Sequence, residues 1–186
     1  MRTSRILRIA SAALLAAAGL ATVPSLTGWG AAHAQQVARG PSTGLPLPRF
    51  VSLKSGRVNL RVGPGLNYSV DWMYLKSGVP MEVIQEYDNW RRVRDSDGTE
   101  GWVNQSLLSG TRTAVVAPWQ RGRSYTLPLK REPGASSATV AILEPGVQGT
   151  IATCNGQWCE VDFAGHRGWV DQAQLWGAYP GENYVD

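Results

Sequence analysis

The sequence predicts an all-β protein made of two small β-barrels in tandem, preceded by a signal peptide. Three observations lead to this prediction. The chain begins with a basic and then apolar leader, one sequence unit occurs twice along the remainder, and each copy consists of short alternating segments separated by turn residues. A length of 186 residues allows one domain of ordinary size or two small ones.

Residues 1–34 have the pattern of a secretory signal peptide. Three arginines precede an apolar run from Ile9 to Val23, and a small-x-small pattern that ends at Ala34 predicts cleavage after that residue. The alternative is a membrane anchor, but an apolar run of about 15 residues is shorter than the ~20 that a helix needs to span a bilayer. We therefore expect a periplasmic or secreted protein with no transmembrane segment in its mature chain.

The mature chain is expected to be nearly neutral. The whole sequence has a formal net charge of +4, and removal of the three leader arginines lowers it to +1. Binding to nucleic acid requires a sustained basic face. No nucleic-acid partner is therefore expected.

The mature chain offers few groups for catalysis or metal binding. Its one histidine is His166, and its cysteines are Cys154 and Cys159. A zinc site needs three or four ordered ligands, and a serine or cysteine nucleophile needs a histidine base held by a third group. We therefore expect no catalytic residues, no metal site and no cofactor, and we interpret His166 as a solvated turn residue.

The repeat consists of four short motifs at offsets of 67 to 69 residues. The matching segments are Leu60–Gly65 with Leu129–Gly134, Leu75–Val79 with Leu143–Val147, Trp90–Val93 with Trp158–Val161, and Gly101–Val103 with Gly168–Val170. Small loop deletions account for the drift in offset. The expected plan is a flexible lead, a first barrel, a linker, a second barrel and a tail, at residues 35–49, 50–117, 118–122, 123–178 and 179–186.

Each copy has short strand-like segments and no helical period. In the first copy the predicted strands are Val58–Val62, Val70–Leu75, Met81–Glu86, Trp90–Arg94, Glu100–Val103 and, as a closing strand, Thr111–Ala117. A 3₁₀ turn is expected at Asn104–Leu108. So few residues cannot bury a core as an open sheet, and closure of the sheet on itself removes its exposed edges.

The order of these motifs resembles that of the bacterial Src-homology-3-like domain of cell-envelope proteins. The first copy matches closely through Leu60–Gly65 and Gly101–Val103, whereas the second has Lys130 in place of the arginine and Glu132 in place of the first glycine. The resemblance covers nearly all of residues 50–178. It implies small barrels that act as binding modules, with cell-wall peptide or an envelope protein as partner.

The two cysteines bracket a tight turn predicted at Gly156-Gln157, which places Cys154 opposite Cys159 on an antiparallel hairpin. A structural disulfide fits an exported protein. The alternative is a redox or metal pair, but the spacing is not that of a C-x-x-C motif and no other ligands cluster nearby. In the first copy the same positions hold Glu86 and Arg91, an opposite-charge pair suited to the same cross-strand contact.

Aromatic residues of the first copy, with neighbouring arginines, form the candidate ligand surface. Tyrosine and tryptophan offer large contact area at low entropy cost, with one polar handle. The candidate residues are Tyr68, Trp72, Tyr74, Tyr87, Trp90, Arg92 and Arg94. The alternatives are that the rings fill the two small cores and that the arginines form local ion pairs on a solvated hairpin.

These expectations describe a non-catalytic binding or scaffolding protein of the cell envelope. The alternative is an accessory or regulatory subunit that targets a separate cell-wall hydrolase. A third reading is an enzyme, but the Cys-His peptidase motifs that often accompany such modules in the family are absent from this sequence.

Overall fold

The computed structural model describes residues 38–186, and the predicted signal peptide with its cleavage point lies outside the described residues. The described chain is all-β, with strands joined by turns and short 3₁₀-helices, as the sequence predicts. Within this range, no helix has the length and apolar character needed to cross a membrane.

The described chain opens with a hairpin of β1 (Ala38–Arg39) and β2 (Pro46–Leu47), and a seven-stranded sheet follows. The strands of this first sheet are β3 (Arg49–Leu53), β4 (Val58–Arg61), β5 (Val70–Tyr74), β6 (Pro80–Tyr87), β7 (Trp90–Arg94), β8 (Glu100–Asn104) and β9 (Leu108–Ser109), with the 3₁₀-helix η1 (Gln105–Leu107) before the last. Neighbouring strands are antiparallel in the order β5-β4-β8-β7-β6-β3-β9.

The second sheet repeats the first strand for strand. Its strands are β10 (Thr113–Val116), β11 (Leu127–Lys130), β12 (Thr139–Leu143), β13 (Gln148–Asn155), β14 (Trp158–Phe163), β15 (His166–Asp171) and β16 (Leu175–Trp176), with the 3₁₀-helices η2 (Pro118–Gln120) and η3 (Gln172–Gln174). Their order is β12-β11-β15-β14-β13-β10-β16, and a further strand, β17 (Asn183–Val185), pairs with β13. The sequence repeat is therefore a repeat of topology.

Each sheet curls around its own apolar core because buried and outward-facing residues alternate along its strands. Leu60 is fully buried in the first core, and Leu129 occupies the matching place in the second. The glycine before each motif tryptophan permits this packing. A Cβ at Gly101 would lie 2.5 Å from Leu60 Cγ, and one at Gly168 would lie 2.7 Å from Leu129 Cγ.

The structure corrects the predicted boundary between the barrels. Thr111–Ala117, predicted to close the first barrel, contains β10, which pairs with β13 and β16 and so opens the second barrel. The first barrel closes through β9, which pairs with β3. The opening strands share no motif, and the loop after them spans residues 54–57 in the first barrel but 117–126 in the second. This difference in loop length breaks the constant offset on which the predicted boundary rests.

The predicted lead, linker and tail also belong to the folded structure. The described part of the lead at 35–49 forms the β1–β2 hairpin and reaches the start of β3. The linker predicted at 118–122 lies within the second barrel, where most of it forms η2. The tail predicted at 179–186 folds back, because β17 pairs with Thr153–Asn155 of β13.

The two barrels meet through aromatic side chains. Phe50 of β3 packs against the Trp176 ring with 5.2 Å between centroids and against the Tyr179 ring with 4.7 Å. The Tyr179 hydroxyl donates to the buried Glu82 carboxylate at 3.0 Å, and Trp176 Nε1 donates to the Pro80 carbonyl at 3.4 Å. Direct packing therefore joins the barrels, and their residues form one compact unit.

Arg112 lies where the chain passes from one barrel to the other, and its side chain is almost fully buried. The guanidinium donates to the Gly177 carbonyl at 2.7 Å and to the two Glu182 carboxylate oxygens at 2.8 and 2.9 Å. It also lies over the rings of Phe50, at 5.6 Å, and Tyr184, at 4.8 Å. Buried charges require paired, hydrogen-bonded surroundings, and Arg112 therefore ties the C-terminal segment to the junction.

Replacement of Phe50 tests this coupling. Phe50→Ala removes the ring that Trp176, Tyr179 and Arg112 share, and we expect it to lower the free energy of unfolding by about 3 kcal/mol. Calorimetry should show one transition for the wild type and two for the variant, because each barrel then unfolds by itself. Tyr87→Ala, which truncates an exposed ring elsewhere on the first barrel, should keep one transition. A single, unshifted transition in Phe50→Ala would show that this ring does not couple the barrels.

Candidate ligand-binding site

The seven candidate residues of the first barrel do not share one groove. Trp90 lines a groove on the outer face of the first sheet, whereas Trp72 and Tyr74 line a second groove beside Arg121 of the second barrel. The remaining four candidates line neither groove. Among them, Tyr87 stands opposite Trp90 at the end of the β6–β7 hairpin and is 60% exposed.

Strand register explains why the aromatic residues separate. Directly opposed residues of antiparallel strands share a face of the sheet. Trp72 opposes the buried Leu60, which places Trp72 on the core-facing side of the edge strand β5. Trp90 opposes Asn104 on the outer face. The structure therefore does not place these rings on one surface.

The groove at Trp90 crosses β4, β8 and β7, and we refer to it as the Trp90 groove. It has a volume of about 260 Å³ and is lined by Arg57, Asn59, Arg61, Leu66, Trp90, Asn104 and Leu107. Burial alternates along β4, so that Val58 and Leu60 enter the core while Asn59 and Arg61 face outward. Rigid strands over a packed core thus position most of the groove.

The loop after β4 supplies one wall of the Trp90 groove, and Arg61 holds it. Arg61 Nη1 donates to the carbonyl oxygens of Leu66 at 3.3 Å and Tyr68 at 2.6 Å. Gly63 lets the loop fold closely, because a Cβ there would lie 2.3 Å from the Tyr68 ring. Tyr68 therefore shapes the loop, and the Leu60–Gly65 motif has a structural role.

The two arginines of the Trp90 groove differ from the candidate arginines Arg92 and Arg94 in having no carboxylate partner. Within residues 38–186, neither Arg57 nor Arg61 forms an ion pair. Arg92 pairs with Glu100 at 2.9 Å, and Arg94 pairs with Glu82 at 2.5 Å. The hydrogen bonds and charge of Glu82 raise the pKa of Arg94. The charges of Arg92 and Arg94 are therefore neutralised locally.

Trp72 and Tyr74 line the second groove, of about 390 Å³, together with Asp95, Asp97 and Arg121. The Tyr74 hydroxyl donates to Asp95 at 2.7 Å, and burial together with this carboxylate raises the pKa of Tyr74. Arg121 pairs with Asp97 at 3.0 Å across the two barrels. Since these polar groups already have partners, the 57% exposed Trp72 is the open aromatic surface here.

Glu86 anchors the N-terminal hairpin. The register opposes it to Arg91, as the sequence predicts, but their closest contact is 3.6 Å. The buried carboxylate accepts shorter bonds from Arg49 Nη2 at 2.8 Å, from Thr43 Oγ1 at 2.6 Å, and from the Ser42 and Thr43 N–H groups at 3.0 Å. Burial by itself raises the pKa of Glu86, but these hydrogen bonds outweigh it and hold the pKa below its usual value.

The predicted disulfide is confirmed. Cys154 and Cys159 are bonded across the β13–β14 hairpin, at the cross-strand position that Glu86 and Arg91 occupy in the first barrel. Among the described residues, no group of three or more histidine, cysteine, aspartate or glutamate side chains is placed to hold a metal ion. His166 is exposed at the start of β15.

The second barrel does not reproduce the Trp90 groove. Strand alignment puts Thr126, Pro128, Lys130 and Asp171 in the positions of Arg57, Asn59, Arg61 and Asn104. Trp158, the counterpart of Trp90, lines a depression with Asp171 and with Pro180 and Gly181 of the C-terminal segment. One fold therefore presents different chemistry at matching places.

Six of the seven groove residues were not among the sequence candidates. They come from separate segments that only the curled sheet brings together. One feature of the sequence could have indicated Asn59 and Arg61. Both alternate with buried residues along β4, and the second copy has different residues at the matching positions.

A family model described as bacterial SH3 domain matches the chain at residues 54–110 and 124–177. Two solved structures are similar to the chain. NlpC2 from Trichomonas vaginalis has 14% sequence identity over 69% of this chain and 48% of that one, with a TM-score of 0.31. NlpC1 from Trichomonas vaginalis has 14% identity over 74% of this chain and 48% of that one, also with a TM-score of 0.31. The chain thus spans about half the length of each. No curated protein matches it.

Docking of the N-terminal hairpin should depend on pH. Because the folded-state pKa of Glu86 lies below its unfolded value of 4.5, the ionised carboxylate contributes stability that is present above that value. This contribution is lost as the pH falls through the lowered folded value. Amide hydrogen exchange at Ser42 and Thr43 should therefore be slow near neutral pH and lose protection in acid.

Glu86→Gln provides the matching variant. Loss of its charge-assisted bonds should lower the free energy of unfolding by roughly 2–3 kcal/mol and remove the protection of the Ser42 and Thr43 amides at every pH. Glu144→Gln, at an exposed carboxylate of the second barrel, should do neither. Full protection in Glu86→Gln would contradict the anchoring role.

Proposed function

We propose that this chain, which belongs to the bacterial SH3 domain family, is a non-catalytic binding and scaffolding protein of the cell envelope. Its two barrels act as one body that holds cell-wall peptide or an envelope protein by surface contact. The principal contact is the Trp90 groove. No step of this function requires a cofactor.

The composition of the Trp90 groove carries this proposal. Binding energy at protein surfaces concentrates in tryptophan, tyrosine and arginine side chains that sit in well-packed pockets. The groove combines Trp90 and Arg61, which stand on strands fixed by a buried core, with Arg57, Leu66 and Leu107. A preformed site of this kind loses little conformational entropy when a ligand binds.

An envelope location is supported by the disulfide and by the leader. Disulfides persist in oxidising compartments outside the cytoplasm, and Cys154 is bonded to Cys159. The predicted signal peptide at residues 1–34, with cleavage after Ala34, supplies the route of export. The mature protein is then periplasmic or secreted.

One feature favours a protein partner and the alternative role of accessory subunit. The β4–β5 hairpin and its flanks expose large apolar side chains, which are Val62, Leu66, Val70, Trp72, Met73 and Leu75. Large exposed apolar side chains at the edge of a sheet are suited to a protein contact, and β5 is an edge strand. In this role the hairpin contacts a separate cell-wall hydrolase and directs it to its substrate.

Trp90→Ala should weaken co-sedimentation of the mature protein (residues 35–186) with purified cell-wall sacculi by about tenfold or more. Truncation of an aromatic hot spot costs ~2 kcal/mol or more of binding free energy. Trp158→Ala, at the matching position of the second barrel, is the control and should bind like the wild type. Thermal unfolding of both variants separates loss of binding from loss of fold.

The outcomes distinguish the two roles. Unchanged sedimentation of Trp90→Ala would remove the groove as the contact. Failure of the wild type to sediment, together with crosslinking of one envelope protein through position 75, would replace wall binding by the accessory role. In that case Trp72→Ser should reduce the crosslink from position 75.

A further inference from the structure

Charges around the Trp90 groove are unbalanced. Four arginines of the first barrel contact a carboxylate, and these are Arg49, Arg91, Arg92 and Arg94. Arg57 and Arg61 contact none within the described part of the chain, although both line the groove. Two carbonyl bonds from Nη1 fix the Arg61 guanidinium in place, and its Nε and Nη2 donors form no hydrogen bond there.

Two guanidinium groups beside an apolar surface are suited to a carboxylate. An arginine fork donates parallel N–H bonds to both carboxylate oxygens, and such charge-assisted bonds are roughly twice as strong as neutral ones. Leu66, Trp90 and Leu107 line the same groove. Their apolar atoms exclude water from a bound ligand, so that the attraction is screened less than on an open surface.

The apolar lining of the groove indicates what accompanies the carboxylate. Leu66, Trp90 and Leu107 offer apolar surface that a hydrated inorganic ion does not cover, whereas a peptide brings an apolar side chain next to its carboxylate. The groove therefore matches a peptide better than a phosphate or sulfate ion.

We infer that the Trp90 groove binds a peptide through a free carboxylate, which Arg57 and Arg61 hold, with an apolar side chain of the peptide on Trp90. This inference rests on the proposed function, because it names the ligand chemistry of the same groove.

The second barrel does not bind this ligand. The counterpart of Arg57 is Thr126, which removes one cation. Asp171 adds a negative charge where the first barrel has Asn104. The Lys130 ammonium already donates to the Ser137 carbonyl at 3.0 Å and to Thr139 Oγ1 at 3.2 Å. Carboxylate recognition is therefore confined to the first barrel.

The test is an NMR titration of the ¹⁵N-labelled mature protein with N-acetyl-trialanine. The peptide with a free C-terminal carboxylate is compared with its C-terminal amide and with inorganic phosphate. We expect the acid to shift the Trp90 indole and the backbone amides of β4, and to bind about tenfold more tightly than the amide. Added salt should reduce this preference, because the contact is partly exposed.

Arg57→Gln should reduce the affinity for the acid about fivefold and leave the affinity for the amide unchanged. The Arg57 side chain is exposed and makes no contact that holds the fold. The spectrum of the variant should therefore match that of the wild type outside the groove. Arg61→Lys, which keeps the charge but loses the fork, should give an intermediate loss. Lys130→Gln is the control in the second barrel and should bind like the wild type.

Equal affinity for acid and amide, shifts confined to the second barrel, or no binding of either peptide would overturn the inference. Phosphate that displaces the acid with equal affinity would overturn the peptide assignment. Loss of sacculus binding in Trp90→Ala together with equal binding of acid and amide would contradict this inference alone. Acid-selective binding without sacculus binding would support it and contradict the wall-binding role.

Discussion

The buried guanidinium of Arg112 is the contact on which the arrangement of the two barrels depends. Its charge is removed from water at the passage between β9 and β10, and Glu182 and the Gly177 carbonyl satisfy it. Burial alone raises the pKa of Glu182, but the bonds from Arg112 and the Tyr179 N–H outweigh it and lower the pKa. Loss of one partner of such a pair costs about 3 kcal/mol or more, because the other charge stays buried. The C-terminal segment is thereby held where Tyr179 meets Phe50.

The two barrels share a backbone plan and differ in the chemistry of their surfaces. Sheet order is the same, and register shifts occur at matching places after Leu60 and after Leu129. The long hairpin of each barrel carries a cross-strand pair at one position, a disulfide in the second and Glu86 with Arg91 in the first. In the second barrel the C-terminal segment lines part of the depression at Trp158, whereas the groove at Trp90 is lined by the first barrel alone.

Much of the fold could be predicted from the sequence, because the leucine, glycine and valine residues of its motifs mark core positions. The motif glycine before Trp102 has to be glycine, since Leu60 packs against it. The opening strand of the first barrel escaped prediction, and that of the second was predicted but assigned to the first barrel. The reason is that neither strand carries a motif and the loops that follow them differ in length. The grouping of the candidate aromatic residues was wrong for another reason. Alternation assigns Trp72 and Trp90 to faces of their own strands, but only the register across β5, β4, β8 and β7 shows which faces coincide.

Residual dipolar couplings of the backbone N–H vectors test most directly whether the barrels form one rigid body held by Arg112. Couplings from residues 49–109 and from residues 113–176 are fitted separately. The predicted result is one shared alignment tensor in the wild type and two different tensors in Arg112→Met, which removes the charge and keeps an unbranched apolar side chain. Two different tensors in the wild type would contradict a rigid arrangement of the barrels. One shared tensor in the variant would contradict the role of Arg112 in maintaining it.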